Sequence, residues 1–71
     1  MNKDAELVRL GETVRQVREQ QRLSVAELAS RTGINAQSIS NLEAGRLDPR
    51  LDVLISLARG MGVRTSALVP P

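Results

Sequence analysis

The sequence of 71 residues contains no cysteine, no histidine and no aromatic residue. Without cysteine the chain forms neither a disulfide nor a thiolate metal site, which suits a reducing compartment. Without histidine and cysteine it also lacks the usual general base, the thiol nucleophile and the commonest nitrogen and sulfur ligands of metals. We therefore expect no enzyme, no cofactor and no metal centre.

The lack of aromatic side chains also indicates which class of nucleic acid the chain could bind. Modules that bind single-stranded DNA or RNA stack bases on aromatic rings, and each stacked base contributes about 1–3 kcal/mol. This chain has no ring on which a base could stack. If the chain binds nucleic acid, the expected partner is therefore double-stranded DNA.

Long apolar runs are absent as well. No window approaches the roughly 18 apolar residues that a membrane-spanning helix needs, and the first six residues lack the apolar segment of a signal peptide. We expect a cytoplasmic protein with no membrane partner and no evident small-molecule ligand. The length predicts a single domain over residues 1–71, with a flexible start at residues 1–4.

The positive charge is carried almost entirely by arginine. Lys3 is the only lysine among ten basic residues, and the formal net charge is only +2. Arginine stays protonated and can form two parallel hydrogen bonds to a phosphate. A GC-rich genome would also enrich arginine, so the composition agrees with a DNA partner without establishing one.

Apolar residues recur at three- and four-residue steps over most of the chain, which predicts helices and no strands. We expect helices at about residues 4–21, 25–32, 36–44 and 51–61, and a short turn at 66–69 capped by Thr65. The first would bury a stripe from Leu7 to Val17. The fourth would bury the residues Leu51, Leu54, Leu57, Ala58 and Met61. Gly60, inside that helix, predicts a frayed end.

Residues 25–44 predict two short helices joined by a tight turn. Ser24 with Glu27 forms a capping-box pattern that starts the first helix. Gly33 can adopt the left-handed conformation that ends it, and Asn35 is a favoured N-cap for the second. Two short helices at this spacing are typical of proteins that place a helix in the DNA major groove.

The second of these helices carries a polar outer face. Gln37 and Asn41 lie four residues apart and therefore project from the same side. Each amide offers one donor and one acceptor, which match the N7 and N6 groups of adenine. A polar helix face is more often simply solvated, and it is the adjoining turn that favours base recognition here.

The chain resembles the lambda-repressor-like, or Cro/Xre-type, helix-turn-helix DNA-binding family. The resemblance extends over about residues 7–68 and is carried by a set of positions, each weak alone: Leu10-Gly11, Val14-Arg15, Val17-Arg18, Ala29, Gly33, Ile39, Leu42, Glu43-Ala44-Gly45-Arg46, Pro49, Leu51, Leu57-Ala58 and Met61-Gly62-Val63. It implies an all-α fold of four or five helices. It also implies a sequence-specific transcriptional regulator, a repressor, that binds double-stranded DNA as a homodimer.

The resemblance also implies roles for individual residues. Base-reading positions would be Ala36, Gln37, Ser38 and Asn41. Positions contacting the DNA backbone would be Ser24, Val25, Ser40, Arg46 and Arg50. Arg18 and Glu43 would form a structural ion pair. Val25 stands where many members carry glutamine, and Ala36 replaces a residue that is often polar, so we expect fewer direct base contacts than in those members.

The same fold can instead serve as a protein-interaction or dimerisation module without DNA binding, including partner binding of the antitoxin type. Val53 and Ile55, which the core does not clearly need, are expected on an outer face of the fourth helix near Val69. Such a patch could join two copies of the chain. Each residue alone is more simply an ordinary exposed aliphatic side chain.

Overall fold

The computed structural model describes residues 3–71 and, from Asp4 onward, their side chains. It contains four α-helices and a short 3₁₀ helix, and these residues form no strand. The elements are α1 (Lys3–Gln20), α2 (Val25–Thr32), α3 (Ala36–Glu43), α4 (Leu51–Met61) and the 3₁₀ helix Thr65–Leu68. The predicted all-α fold is confirmed, and each helix lies within one residue of its expected bounds.

The structure adds detail at the two ends of the chain and corrects one expected cap. Of the four residues expected to be flexible, the first two lie outside the described part, while Lys3 and Asp4 belong to the first turn of α1. The 3₁₀ helix begins at Thr65 itself, so Thr65 is not its cap. Arg64 occupies the N-cap position and forms no side-chain capping hydrogen bond. No helix within residues 3–71 is long and apolar enough to cross a membrane.

Local capping defines both short helices. The Ser24 hydroxyl accepts a hydrogen bond from the Glu27 N–H, and the Glu27 side chain accepts one from the Ser24 N–H, as predicted. The Asn35 side chain accepts hydrogen bonds from the N–H groups of Gln37 and Ser38. Gly33 lies between the helices with φ 75°, a conformation that glycine adopts without a Cβ penalty. The turn between α2 and α3 is therefore set by its own residues.

The core lies where the helices meet. α1 packs on α3 and α2 on α4, while the 3₁₀ helix packs on α1 and α4. The largest fully buried side chains are Val14, Leu28, Ile39, Leu42, Leu57 and Leu68. Burying aliphatic side chains of this size contributes about 1.5–3 kcal/mol each, so these contacts fix how α3 is presented.

The structure corrects the expected burial of α4. Leu51 is 67% exposed instead of buried, because it is the first residue of the helix and lies beyond the edge of the core that Leu54 and Leu57 enter. Val53, expected on an outer face, is half-buried and packs against the core. Ile55 is also half-buried. Of the three aliphatic residues expected to form an outer patch, only Val69 is exposed, at 52%.

Two glycines mark places where helices approach closely. A Cβ on Gly11 would collide with the backbone of α3, 2.6 Å from the carbonyl oxygen of Glu43. A Cβ on Gly60 would meet side chains of α2, including Leu28 Cδ1 at 3.2 Å. Gly60 is therefore a packing position, and the expected frayed end is wrong, since α4 continues to Met61 and is capped by Gly62.

Candidate nucleic-acid interface

The outer face of α3 is polar and accessible. Ala36, Gln37 and Ser40 are exposed, and Ser38 and Asn41 are half-buried. The opposite face of the helix is anchored by Ile39 and Leu42, each 1% exposed. Because the buried face holds the helix against the core, its polar face presents amide and hydroxyl groups on a fixed support.

The two amides on this face are joined to each other. Gln37 Nε2 donates a hydrogen bond to Asn41 Oδ1 over 3.2 Å. The bond leaves the Gln37 carbonyl oxygen, one Gln37 N–H and the Asn41 NH₂ group available to a ligand. These are the acceptor and donors that the edge of a base pair requires. The bond also restrains both side chains before any ligand arrives.

Arg46 is placed by the end of α3. Gly45 adopts φ 76°, and its N–H donates to the Leu42 carbonyl over 3.0 Å. The Arg46 N–H then donates to the carbonyl of Asn41 over 2.9 Å. This pair of bonds is the Schellman ending of a helix. It holds the backbone of the exposed Arg46 beside the last turn of α3.

The N-terminus of α2 contributes a hydroxyl with an acidic neighbour. The Ser24 hydroxyl oxygen accepts from the Glu27 N–H over 3.0 Å, and Ser24 itself is exposed at the start of the helix. The Ser24 N–H is already used by Glu27 Oε1 at 2.9 Å. The hydrogen bonds from Ser24, above all from its backbone, lower the pKa of Glu27 below its ordinary value of 4.5. Val25 is half-buried against the core and offers no hydrogen-bonding side chain.

Arg50 precedes α4 and is held by a carboxylate. Its Nε and Nη2 donate to Asp52 Oδ1 and Oδ2 over 3.1 and 2.7 Å. Both side chains are exposed, at 82% and 64%. Hydrogen bonding to Asp52 raises the pKa of Arg50, and the same contact lowers the pKa of Asp52. Arg50 and Asp52 are therefore both ionised at neutral pH.

Arg18 and Glu43 tie α1 to the end of α3. Arg18 Nε and Nη2 donate to the two carboxylate oxygens of Glu43 over 2.7 and 2.9 Å. Arg18 Nη1 also donates to the Leu23 carbonyl over 2.7 Å. Hydrogen bonding to Glu43 raises the pKa of Arg18. This side chain therefore supports the frame on which α3 sits and does not face outward as a ligand contact.

Sequence reasoning missed three of these contacts. The spacing of four residues between Gln37 and Asn41 indicates that their side chains can meet on the helix surface. The Arg50 and Asp52 pair could have been suspected from opposite charges two residues apart. The bond from Arg18 to the Leu23 carbonyl left no signal, since any residue supplies a carbonyl. Within residues 3–71, no group of three or more acidic side chains could hold a metal ion.

Residues 9–70 match the model of a family described as a helix-turn-helix domain. The chain is also 34% identical over 62 residues to a protein of Sinorhizobium fredii described as an uncharacterized HTH-type transcriptional regulator, and the match covers 87% of this chain and 80% of that protein.

Solved structures of other proteins share the fold. The restriction-modification controller protein C.AhdI of Aeromonas hydrophila has a TM-score of 0.88 and 26% identity, over 90% of this chain and 97% of that one. An HTH_3 family transcriptional regulator of Vibrio cholerae has a TM-score of 0.89 and 21% identity, over 94% of this chain and 38% of that longer one. Together these matches confirm the Cro/Xre-type resemblance found in the sequence.

Proposed function

Because the chain belongs to the helix-turn-helix domain family, as its match over residues 9–70 shows, we propose that it binds a specific sequence of double-stranded DNA. In this proposal α3 enters the major groove and the bound protein represses transcription. The protein of Sinorhizobium fredii that the chain matches is described as an HTH-type transcriptional regulator, and regulators of this kind are not enzymes. The chain is accordingly not an enzyme, and its proposed place of action is the cytoplasm.

The joined amides of Gln37 and Asn41 on the accessible face of α3 carry the proposal. Their free acceptor and donors suit the major-groove edge of adenine, and good pairings of this kind discriminate by about 1–3 kcal/mol. Ala36 and Ser38 would lie beside them, where Ala36 could contact a thymine methyl group. The exposed positions of Ala36 and Gln37 leave this approach open.

Contacts to the DNA backbone would surround these base contacts. Ser24 and Ser40 offer exposed hydroxyl groups, and Arg46 an accessible cation. Val25 would contribute only its backbone and an apolar surface, since its side chain packs inward. Arg50 offers a guanidinium group whose present partner is Asp52. Contacts of these kinds position a protein on the duplex without reading sequence.

The proposed assembly on DNA is a homodimer. One copy of the helix-turn-helix reads a half-site, and a two-fold pair places two such helices about one turn of DNA apart. Leu51 and Val69, at 67% and 52% exposure, are aliphatic surfaces that a second copy could cover. The same exposure favours the second candidate function, a protein-interaction module without DNA binding.

A single titration separates these two functions. Duplexes selected from a random pool by the purified protein should share a common sequence, and fluorescence polarisation should show tight binding to it. The affinity should fall with salt, with a log-log slope of about −0.9 for each neutralised phosphate. If adding the protein changes the polarisation of neither the selected nor the unselected duplexes, DNA binding is contradicted and the interaction module is supported.

A further inference from the structure

Arg50 contacts Asp52 through the same pair of hydrogen bonds that an arginine can form to a phosphate. A carboxylate and a phosphate both receive two parallel hydrogen bonds from the same edge of a guanidinium group. Asp52 occupies that edge through Nε and Nη2. Asp52 Oδ1 in turn accepts a hydrogen bond from the Val53 N–H over 3.1 Å, which steadies the carboxylate.

The pair has little to do for the fold. Both side chains are mostly exposed, and ion pairs at such sites contribute between nothing and about 1 kcal/mol to stability. Arg46, the other arginine proposed to contact phosphate, forms no ion pair with any carboxylate in residues 3–71. Before DNA binds, the guanidinium group of Arg50 is therefore occupied by a carboxylate, whereas that of Arg46 is not.

We propose that Asp52 limits the affinity of the protein for DNA by occupying the guanidinium edge of Arg50 that a DNA phosphate would otherwise engage. The inference rests on the proposed DNA binding and assigns Asp52 as a positioning residue. A phosphate must either displace the carboxylate or bind the remaining Nη1 edge beside a group of its own charge. Either route weakens the contact, because like charges at short range repel.

The measurement is a double-mutant cycle with Asp52→Asn and Arg50→Ala, read as affinity for the selected duplex at several salt concentrations. Asp52→Asn alone should tighten binding about two- to fivefold, the equivalent of an exposed ion pair, and should steepen the salt slope. Arg50→Ala should weaken binding. Adding Asp52→Asn to Arg50→Ala should give a smaller gain than in the parent protein, because no guanidinium group is left to release and only the repulsion between Asp52 and the phosphates is relieved.

Two further variants and a stability measurement complete the experiment. Glu12→Gln removes the same charge from an exposed position of α1 and should change affinity less than Asp52→Asn. Asp52→Glu, which keeps the charge, should bind more weakly than Asp52→Asn. Thermal unfolding of each variant shows whether it is folded at the temperature of the titration, and a fold defect would not steepen the salt slope.

The outcomes separate the inference from the proposed function. If Asp52→Asn raises the affinity equally in the parent protein and in Arg50→Ala, the inference is overturned. General repulsion between Asp52 and the DNA would then explain the gain. No gain in the parent protein, or no loss in Arg50→Ala, would also overturn it while leaving DNA binding intact. Failure of the unaltered protein to bind any selected duplex would overturn the proposed function itself.

Discussion

The guanidinium group of Arg18 forms two hydrogen bonds to the carboxylate of Glu43, and both side chains are almost enclosed, at 11% and 9% exposure. The contact spans 25 residues of sequence and joins α1 to the last turn of α3. Its third hydrogen bond, to the Leu23 carbonyl, also secures the segment that leads into α2. One side chain therefore braces both helices of the helix-turn-helix.

Glu43→Gln should destabilise the fold. The change removes one charge from a part-buried pair and leaves Arg18 without its counter-ion, and the loss should stay below the about 3–5 kcal/mol typical of fully buried pairs. Urea unfolding followed by circular dichroism at neutral pH measures the loss. Arg15→Ala is the matched control, since the Arg15 and Glu19 pair is 63% and 55% exposed and should contribute less than about 0.5 kcal/mol. Equal losses in the two variants would contradict the bracing role.

Gly11→Ala should destabilise the fold despite the higher helix propensity of alanine. The new Cβ would collide with the backbone carbonyls of Leu42 and Glu43, and a backbone cannot move aside as a side chain can. Overpacking of this kind costs about 1–3 kcal/mol. Gly60→Ala, whose Cβ meets only side chains of α2, should cost less. Thermal unfolding compares the two, and a stabilised Gly11→Ala would show that α1 and α3 do not pack this closely.

Glu27→Gln should lower stability at neutral pH but not in acid. Hydrogen bonds from Ser24 lower the pKa of Glu27 in the folded state, so ionised Glu27 stabilises the fold above its ordinary pKa of 4.5. That contribution is lost as the pH falls through the lower, folded value. The difference between parent and variant in urea unfolding should therefore shrink from pH 7 to strong acid. A constant difference would contradict the capping-box geometry.

Ser24→Ala tests the other half of the same cap. It removes the hydroxyl that receives the Glu27 N–H and should cost about 1 kcal/mol, as for other N-caps. The backbone N–H of Ser24 still donates to Glu27, so the acid dependence of stability should largely remain. Losing that dependence completely would assign it to the hydroxyl instead.

Gln37→Ala and Asn41→Ala should each weaken binding to the selected duplex by about 1–3 kcal/mol and relax base preference at one position. The double variant should lose less than the sum, by about 0.5 kcal/mol or more, because the two amides are joined. Competition titrations against single-base variants of the duplex measure both effects. Equal losses on every sequence would refute the base-reading role.

Arg46→Ala should weaken binding to every duplex alike. Its cation would neutralise a phosphate, so its removal should reduce the salt slope by about one without changing base preference. Titrations of the selected and a scrambled duplex at several salt concentrations provide the test. A changed preference would place Arg46 at a base edge instead.

Most of the helix boundaries were predictable because they depend on neighbouring residues. Ser24 with Glu27, Asn35 before α3 and Gly33 between the helices act within one turn of the backbone. Apolar residues at three- and four-residue steps likewise identified the buried face of α3 and, in part, that of α1. In the expected stripe of α1 only Val14 is buried, Leu10 and Val17 pack partly buried against the core, and Leu7 is half-buried at its edge. The exposed amide face of α3 followed from the same periodicity, since the residues between the buried positions must point outward.

Errors arose where burial depends on where the core ends. Leu51 continues the apolar spacing of α4, yet it lies outside the packed region. Val53 departs from that spacing, yet it packs partly buried against the core. Gly60 was read as a weak helix former, although the closeness of α2 is what requires it. Periodicity describes one helix and carries no information on how far its neighbours extend.

The sequence by itself determined the helices, their caps and the polar face of α3, because each depends on interactions between residues a few positions apart. Only the tertiary structure brought Arg18 to Glu43 across 25 residues, the pair that the family resemblance implied. Only the tertiary structure also placed the Leu23 carbonyl within reach of the same guanidinium group. Side-chain pairing depends on distance in space and on the direction of each Cα–Cβ bond, and both are set only when the helices pack together.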